Sequence, residues 1–287
     1  MSRRYRGYDL IFESAFDIPG ATEIERGEAG VTPDVTIMKQ HVALESWYDR
    51  RGHFARLGRG MVASLPGRAN YLCADSNHIL VDPAPGAAAA DIAAGLSAFA
   101  IPALLWMRGD ILLHAGAVIL PGADAAIIVA GHSGSGKTTV LRQCAEAGAR
   151  IVADDIIRIT PGFAISGLPA GLSASAGGSY CEIPLEQRCA VAVLDAVHVL
   201  TVPRAPEAPA FHALAVERRM HVLLAYQYRP RIPRMLGLAR TMLPALARIA
   251  EAVPMYDWRR EEGQVALGES EVAALCAGSG LHLAPDA

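Results

Sequence analysis

The sequence predicts an α/β protein in two parts. A small β-rich N-terminal domain occupies residues 1–90, and a larger domain over 91–287 carries a glycine-rich loop on a mixed sheet and ends in a helical part. Three observations predict this. Up to about Pro85 the apolar residues come in short groups divided by Gly, Pro, Asp and Asn, the pattern of short strands and turns. Two apolar strands joined by a four-residue turn then run straight into Gly131-His132-Ser133-Gly134-Ser135-Gly136-Lys137-Thr138-Thr139. In the last third, apolar residues recur at helical spacing.

In chain order, Leu10-Ile11-Phe12, Val35-Thr36-Ile37, Met61-Val62-Ala63 and Ile79-Leu80-Val81 are the clearest short strands. Asp91 to Trp106 has helical spacing at Ile92, Leu96, Phe99 and Leu104 despite Pro102, and the domain boundary is placed close to it. Ile111 to Leu120 and Ala125 to Ala130 read as strands around the turn Pro121-Gly122-Ala123-Asp124. So short a turn forces them antiparallel, because a parallel return needs a crossover of about a dozen residues. A helix from Lys137 to about Ala147 ends at Gly148 and leads into a strand over Arg150 to Ala153. Ala190 to Leu194 and Val197 to Val202 read as two further strands. Pro209 to Tyr226, Arg234 to Ala252 and Ser270 to Ala277 read as helices, with a strand at Val253 to Trp258.

Composition narrows the function classes. With 52% hydrophobic and 19% charged residues the chain can fill a core, which excludes a disordered protein. A formal charge of −3 supplies no field for nucleic acid. The five cysteines are scattered without a CxxC pair, which argues against a zinc site or disulfide framework and for a reducing compartment. No apolar stretch follows the N-terminal arginines, and Leu96 to Met107 is too short for a membrane span of roughly 20 residues. A cytoplasmic protein with no membrane span is expected. Of the two lysines, Lys39 and Lys137, one lies in the glycine-rich loop.

That loop fits G-x-x-x-x-G-K-[ST] between a strand and a helix, the setting in which the motif binds triphosphate. Its glycines let backbone N–H groups turn toward phosphate oxygens, and the following helix points its positive end at the same anion. The expected ligand set is Gly131, Ser133, Gly134, Ser135, Gly136, Lys137, Thr138 and Thr139 for ATP, with Lys137 on the β- and γ-phosphates and Thr138 on Mg2+. Asp154-Asp155 follow 17 positions after Lys137, at the carboxyl end of a strand, where open α/β sheets bind ligands. Successive strand side chains point to opposite faces, so the two carboxylates need a local bend to serve one centre. One is expected toward the metal and the other toward an acceptor hydroxyl. Glu182 and Glu186 are expected to be exposed charges.

Leu113-His114-Ala115-Gly116-Ala117-Val118, the loop, and Gly148-Ala149-Arg150-Ile151-Val152-Ala153-Asp154-Asp155 occur in order and resemble the HPr kinase/phosphorylase group, which shares its phosphate-loop core with phosphoenolpyruvate carboxykinases. The resemblance implies that Asp154 is the general base on the acceptor hydroxyl, that His114 lies near the transferring phosphate, and that Asp155 belongs to the metal or its water network. The bifunctional enzymes carry an EIRGLGI-like motif where this chain has Ala174 to Pro184, so phosphorylase activity is not implied. Gly7-Tyr8-Asp9-Leu10-Ile11-Phe12-Glu13-Ser14, Pro33-Asp34-Val35-Thr36-Ile37 and Val253-Pro254-Met255-Tyr256 are similar to HPr-kinase-like proteins of lasso peptide clusters, which phosphorylate a serine of a precursor peptide. The expectation is an ATP- and Mg2+-dependent kinase acting on a serine of a peptide or small protein, with a homo-oligomer allowed by the resemblance. A small-molecule kinase for free serine or a similar metabolite, and a nucleotide-dependent regulatory ATPase, are the alternatives.

Overall fold

Strand pairing in the computed structural model, which describes residues 2–25, 32–43, 54–58, 60–169, 171–172, 181–201 and 210–259, follows the alternation of apolar and polar side chains. Contacts divide it into two units. The first runs to Leu112 and takes in Arg229–Leu243; the second is Leu113–Tyr228 with the residues from Pro244 onward.

In the first unit β1 (Arg3–Gly7), β2 (Leu10–Ser14), β3 (Thr22–Glu23), β4 (Val35–Lys39), β5 (Phe54–Leu57), β6 (Gly60–Leu65), β7 (Ala69–Cys73) and β8 (His78–Pro83) form one sheet of order β3-β1-β2-β4-β8-β7-β6-β5. The strands β2, β4 and β8 run parallel and the other neighbours antiparallel. Phe12, Val35, Ile37, Met61, Tyr71, Ile79 and Val81 point inward. The helix α1 (Ala89–Met107) adds Leu96, Ile101, Leu104, Leu105 and Trp106, all fully buried. It sits close on β7: the Tyr71 hydroxyl donates to the Ile92 carbonyl at 2.8 Å, and a Cβ on Gly95 would run into the Tyr71 ring. Over Leu96–Ala100 it widens into a π-helical turn, just ahead of Pro102, whose nitrogen has no proton to donate. Among the described residues α1 is the one helix long and apolar enough to cross a membrane, and 61% of it is buried within the protein.

In the second unit β9 (Ile111–Ile119), β10 (Ala126–Gly131), the helix α2 (Lys137–Glu146), β11 (Arg150–Ala153), β12 (Ile156–Ile159), β13 (Ala164–Ser166), β14 (Gly171–Leu172), β15 (Cys181–Glu182), β16 (Val191–Thr201), β17 (Ala210–Ala213), the helices α3 (Val216–Ala225) and α4 (Leu243–Ala252), and β18 (Met255–Arg259) follow in turn. Side by side, the strands run β17-β18-β16-β10-β9-β11. The strands β10, β16 and β18 are mutually parallel, and β9 is antiparallel to both β10 and β11. The first residues of β16 pair instead with β13, which β12 ties back to β9. One face is covered by α2, whose Val140, Leu141 and Cys144 pack with Val118, Val129, Ile151, Leu200 and Trp258. A Cβ on Gly116 would come within 2.7 Å of a Leu141 methyl, so this glycine lets the helix approach the sheet.

The short N-terminal strands, the antiparallel β9–β10 hairpin, the helix after the loop and the strand after it form where the sequence predicts them. Four expectations change. Because α1 packs on the first sheet, it belongs with the first unit instead of opening the second. The two strands expected over Ala190 to Val202 are the single strand β16, because exposed Asp195 is an outward position of one alternating strand and not a break. The helix expected from Pro209 gives way to β17, whose Phe211 stacks on Trp258 with ring centroids 5.1 Å apart, and α3 starts only at Val216. The helix expected over Arg234 to Ala252 is interrupted at Gly237, which has φ +76°, and resumes as α4. The segment Ser270 to Ala277 lies outside the described residues. Cys73, Cys144 and Cys189 are reduced thiols outside any disulfide. Arg229 lays its guanidinium 3.9 Å over the Phe99 ring and donates to the Ala98 carbonyl.

His198 on β16 is 8% exposed, stacked on Tyr256 and edge-on to Phe211, and its Nδ1 has no hydrogen-bond partner. Burial pushes its pKa down to about 4 from 6.5. The unfolded chain therefore binds the proton first as pH falls, so stability is complete above pH 6.5 and drains away between pH 6.5 and about 4. The expected loss is about 3 kcal/mol, and His198→Phe should flatten this part of a urea-unfolding pH profile. A profile unchanged by the substitution contradicts the assignment.

Candidate phosphate-binding and transfer site

The strand order brings the glycine-rich loop, His114 and the acidic pair to one edge. Because β10 and β11 are both antiparallel to β9, they run in the same direction, and their carboxyl ends deliver the loop and the acidic pair to the same side of the sheet. The amino end of β9 lies between them. Ala115 pairs with Ala130, so His114 sits beside the first residue of the loop.

Gly134 and Gly136 turn the loop with φ of +81° and +93°, a region that side chains disfavour. The first helical bond of α2 runs from the Val140 N–H to the Gly136 carbonyl at 2.9 Å, so the N–H groups of Lys137, Thr138 and Thr139 precede the helical ladder and open toward the loop. Lys137 is 9% exposed and donates through Nζ to the Gly131 and His132 carbonyls at 2.9 and 3.1 Å. Burial lowers its pKa, opposed by the charges of Asp155 and Asp154. The Ser135 hydroxyl is buried without a protein partner. Ser133 and Gly134 are exposed at the tip, and Thr139 is half-buried.

The bend that the acidic pair needs is present. The chain leaves β11 at Ala153, and Asp155 adopts φ +81° before β12 begins. The two carboxylates thereby face different partners. Asp154 accepts from the Thr138 hydroxyl at 3.2 Å. Asp155 meets His114 Nδ1 at 2.9 Å, while its carbonyl accepts from the Ala115 N–H at 3.2 Å. This imidazole–carboxylate contact is about half exposed, so its net energy is under about 1 kcal/mol and its value is orientation. Among the described residues no three His, Cys, Asp or Glu side chains cluster as a metal cage. The donors fit Mg2+, which takes one or two protein oxygens beside phosphate and water; Thr138 and a neighbouring carboxylate would supply them. The orphaned Ser135 hydroxyl and the buried ammonium likewise fit a phosphate chain.

Other residues that complete this edge escape motif reading. Tyr226-Gln227-Tyr228 follow α3 as a strap. The Tyr226 carbonyl accepts from the His114 N–H at 2.7 Å, Gln227 bridges Leu113, and the Tyr226 and Tyr228 rings lie 5.6 and 6.3 Å from those of His132 and His114. In sequence the strap is hidden in an apparent helix end. Gly167 is the other: a Cβ there would collide with the Ala153 side chain and stand 3.0 Å from the Ile156 carbonyl, on either side of the acidic pair. Glu182 is an exposed partner of Arg188 at 2.9 Å, and Glu186 is exposed too.

No family model matches the chain, and no curated protein does. Among solved structures it is similar to an HPr(Ser) kinase/phosphatase from Coxiella burnetii, at 13% identity over 58% of this chain and 97% of that one, with a TM-score of 0.38. The chemistry proposed below rests on the geometry of the sheet edge.

Gly167→Ala is expected to displace Ala153 and to destabilise the protein by about 1–3 kcal/mol. Thermal unfolding checks this, and Gly162→Ala, with open space around the added methyl, is the control.

Proposed function

We propose that this chain is a kinase that uses ATP and Mg2+ to phosphorylate a hydroxyl group, the acceptor being a serine of a peptide or small protein. One observation carries the reading: Lys137, Thr138, Asp154, Asp155 and His114 meet on one sheet edge, with Asp154 at the Thr138 hydroxyl and Asp155 at His114. A triphosphate bound there supplies the transferable phosphoryl group, and Mg2+ screens its charge. Lys137 and the loop N–H groups hold and neutralise the phosphates. Asp154 takes the proton of the acceptor hydroxyl as its oxygen bonds to phosphorus and the bond to the departing diphosphate breaks. His114, oriented by Asp155, presents its ring beside the reacting phosphate. Positioning and charge stabilisation supply most of the acceleration. The peptide acceptor draws its support from the sequence resemblance.

Labelled ATP, Mg2+ and serine-containing peptides test the reading. Asp154→Asn is expected to slow transfer by about 100-fold or more with nucleotide affinity retained, whereas Lys137→Ala removes nucleotide binding. Phosphate release that no acceptor alters, with no phosphorylated product, contradicts a kinase and favours a regulatory ATPase.

The Thr138–Asp154 hydrogen bond favours a second division of labour, with Asp154 on the metal and Asp155 as the base. A Mg2+ titration separates the two. Under the first division Asp154→Asn lowers the saturated rate; under the second it raises the Mg2+ requirement, and Asp155→Asn lowers the saturated rate.

A further inference from the structure

A cavity of about 450 Å3 opens at the same sheet edge, on the far side of the loop from the acidic pair. Its size falls within the roughly 300–1,000 Å3 of small-molecule sites. Val199 and Thr201 of β16 and Asp257 of β18 form the floor, and Leu214, Val222 and Ala225 form apolar walls. Arg218 and His221 add polar groups from α3, and Tyr226, whose ring rests 5.6 Å from that of His132, closes the side nearest the loop. The Asp257 carboxylate is held from two sides, by the Thr201 hydroxyl at 2.6 Å and by Arg259 Nε at 3.3 Å. It is an oriented acceptor beside apolar walls.

We propose that this cavity seats the nucleoside end of the triphosphate, with the base between the apolar walls and a ribose hydroxyl donating to Asp257. The proposal rests on the triphosphate reading of the loop and adds a place for the rest of that molecule. Strand spacing decides between this occupant and the acceptor. Neighbouring strands lie about 4.8 Å apart. From β11, which carries Asp154, to β16 and β18 is three and four steps, roughly 14–19 Å. A small acceptor filling the cavity would lie out of reach of the carboxylates that must receive its proton. From β10, which carries the loop, the same floor is one and two steps away, roughly 5–10 Å, the reach of a nucleoside from its own phosphates. With the metal and terminal phosphate at the Thr138–Asp154 pair, as in the proposed function, the nucleoside would leave in the opposite direction, toward β16.

Calorimetric titration of the full chain with the magnesium complexes of ATP, GTP and inorganic tripolyphosphate tests this, using Ala225→Trp to fill the cavity from an exposed position. Val222→Phe, one helical turn earlier, is the second variant. The wild type is expected to bind ATP or GTP about tenfold or more tightly than tripolyphosphate. At least one variant should lose that margin while its tripolyphosphate affinity stays within about twofold of wild type. Variants that keep the nucleoside margin overturn the proposal, and if they raise the KM for an acceptor peptide instead, the cavity belongs to the acceptor. A wild type that binds tripolyphosphate as tightly as ATP and GTP overturns it while leaving the loop assignment intact. Variants that lose both ligands equally also overturn it, and a wild type that binds none of the three overturns the loop assignment as well.

Discussion

The whole site depends on the pairing of β9 between β10 and β11. A turn at Pro121-Gly122 is too short for anything but an antiparallel return, and β11 then joins the free side of β9. One antiparallel strand inserted between two parallel ones brings two carboxyl ends and one amino end to a common edge. The loop, His114 and the acidic pair become neighbours without any of them being adjacent in sequence. Gly116 on β9 and Gly167 beside Ala153 serve the same arrangement by removing the Cβ atoms that would hold α2 and the acidic turn away.

The charged groups at that edge act on one another both by contact and through space. Lys137 is buried deeply enough to lose part of its basicity, and its ammonium is satisfied by two loop carbonyls instead of by a carboxylate. Asp154 and Asp155 restore part of its charge preference from a distance, and Asp154 also accepts from a hydroxyl while Asp155 meets an imidazole. A polyanion with its cation can enter such a site without first breaking a buried lysine–carboxylate pair, which is costly to open.

What the sequence disclosed was local or periodic. The loop, the helix after it and the hairpin before it could be read because glycine, lysine and a short turn each have few structural meanings. The need for a bend at Asp154-Asp155 also followed from side-chain alternation, and Asp155 supplies it with a left-handed backbone. Properties that depend on distant partners were not legible. Phe211 lies in a strand because Trp258 receives it, which no helical count around Pro209 could register. Asp195 looked like an interruption because one polar residue on an outward position is indistinguishable from a turn signal. Tyr226 and Tyr228 gained meaning only from the strand end they cross.

That crossing joins parts of the edge that strand order separates. The strap between Tyr226 and Tyr228 touches the loop and the cavity with its first ring, His114 with its last, and the backbone of His114 with its carbonyl. It rests on both flanks of the glycine-rich loop. Because one residue carries both the ring beside His132 and the carbonyl bonded to the His114 N–H, the two flanks of the loop share a single support.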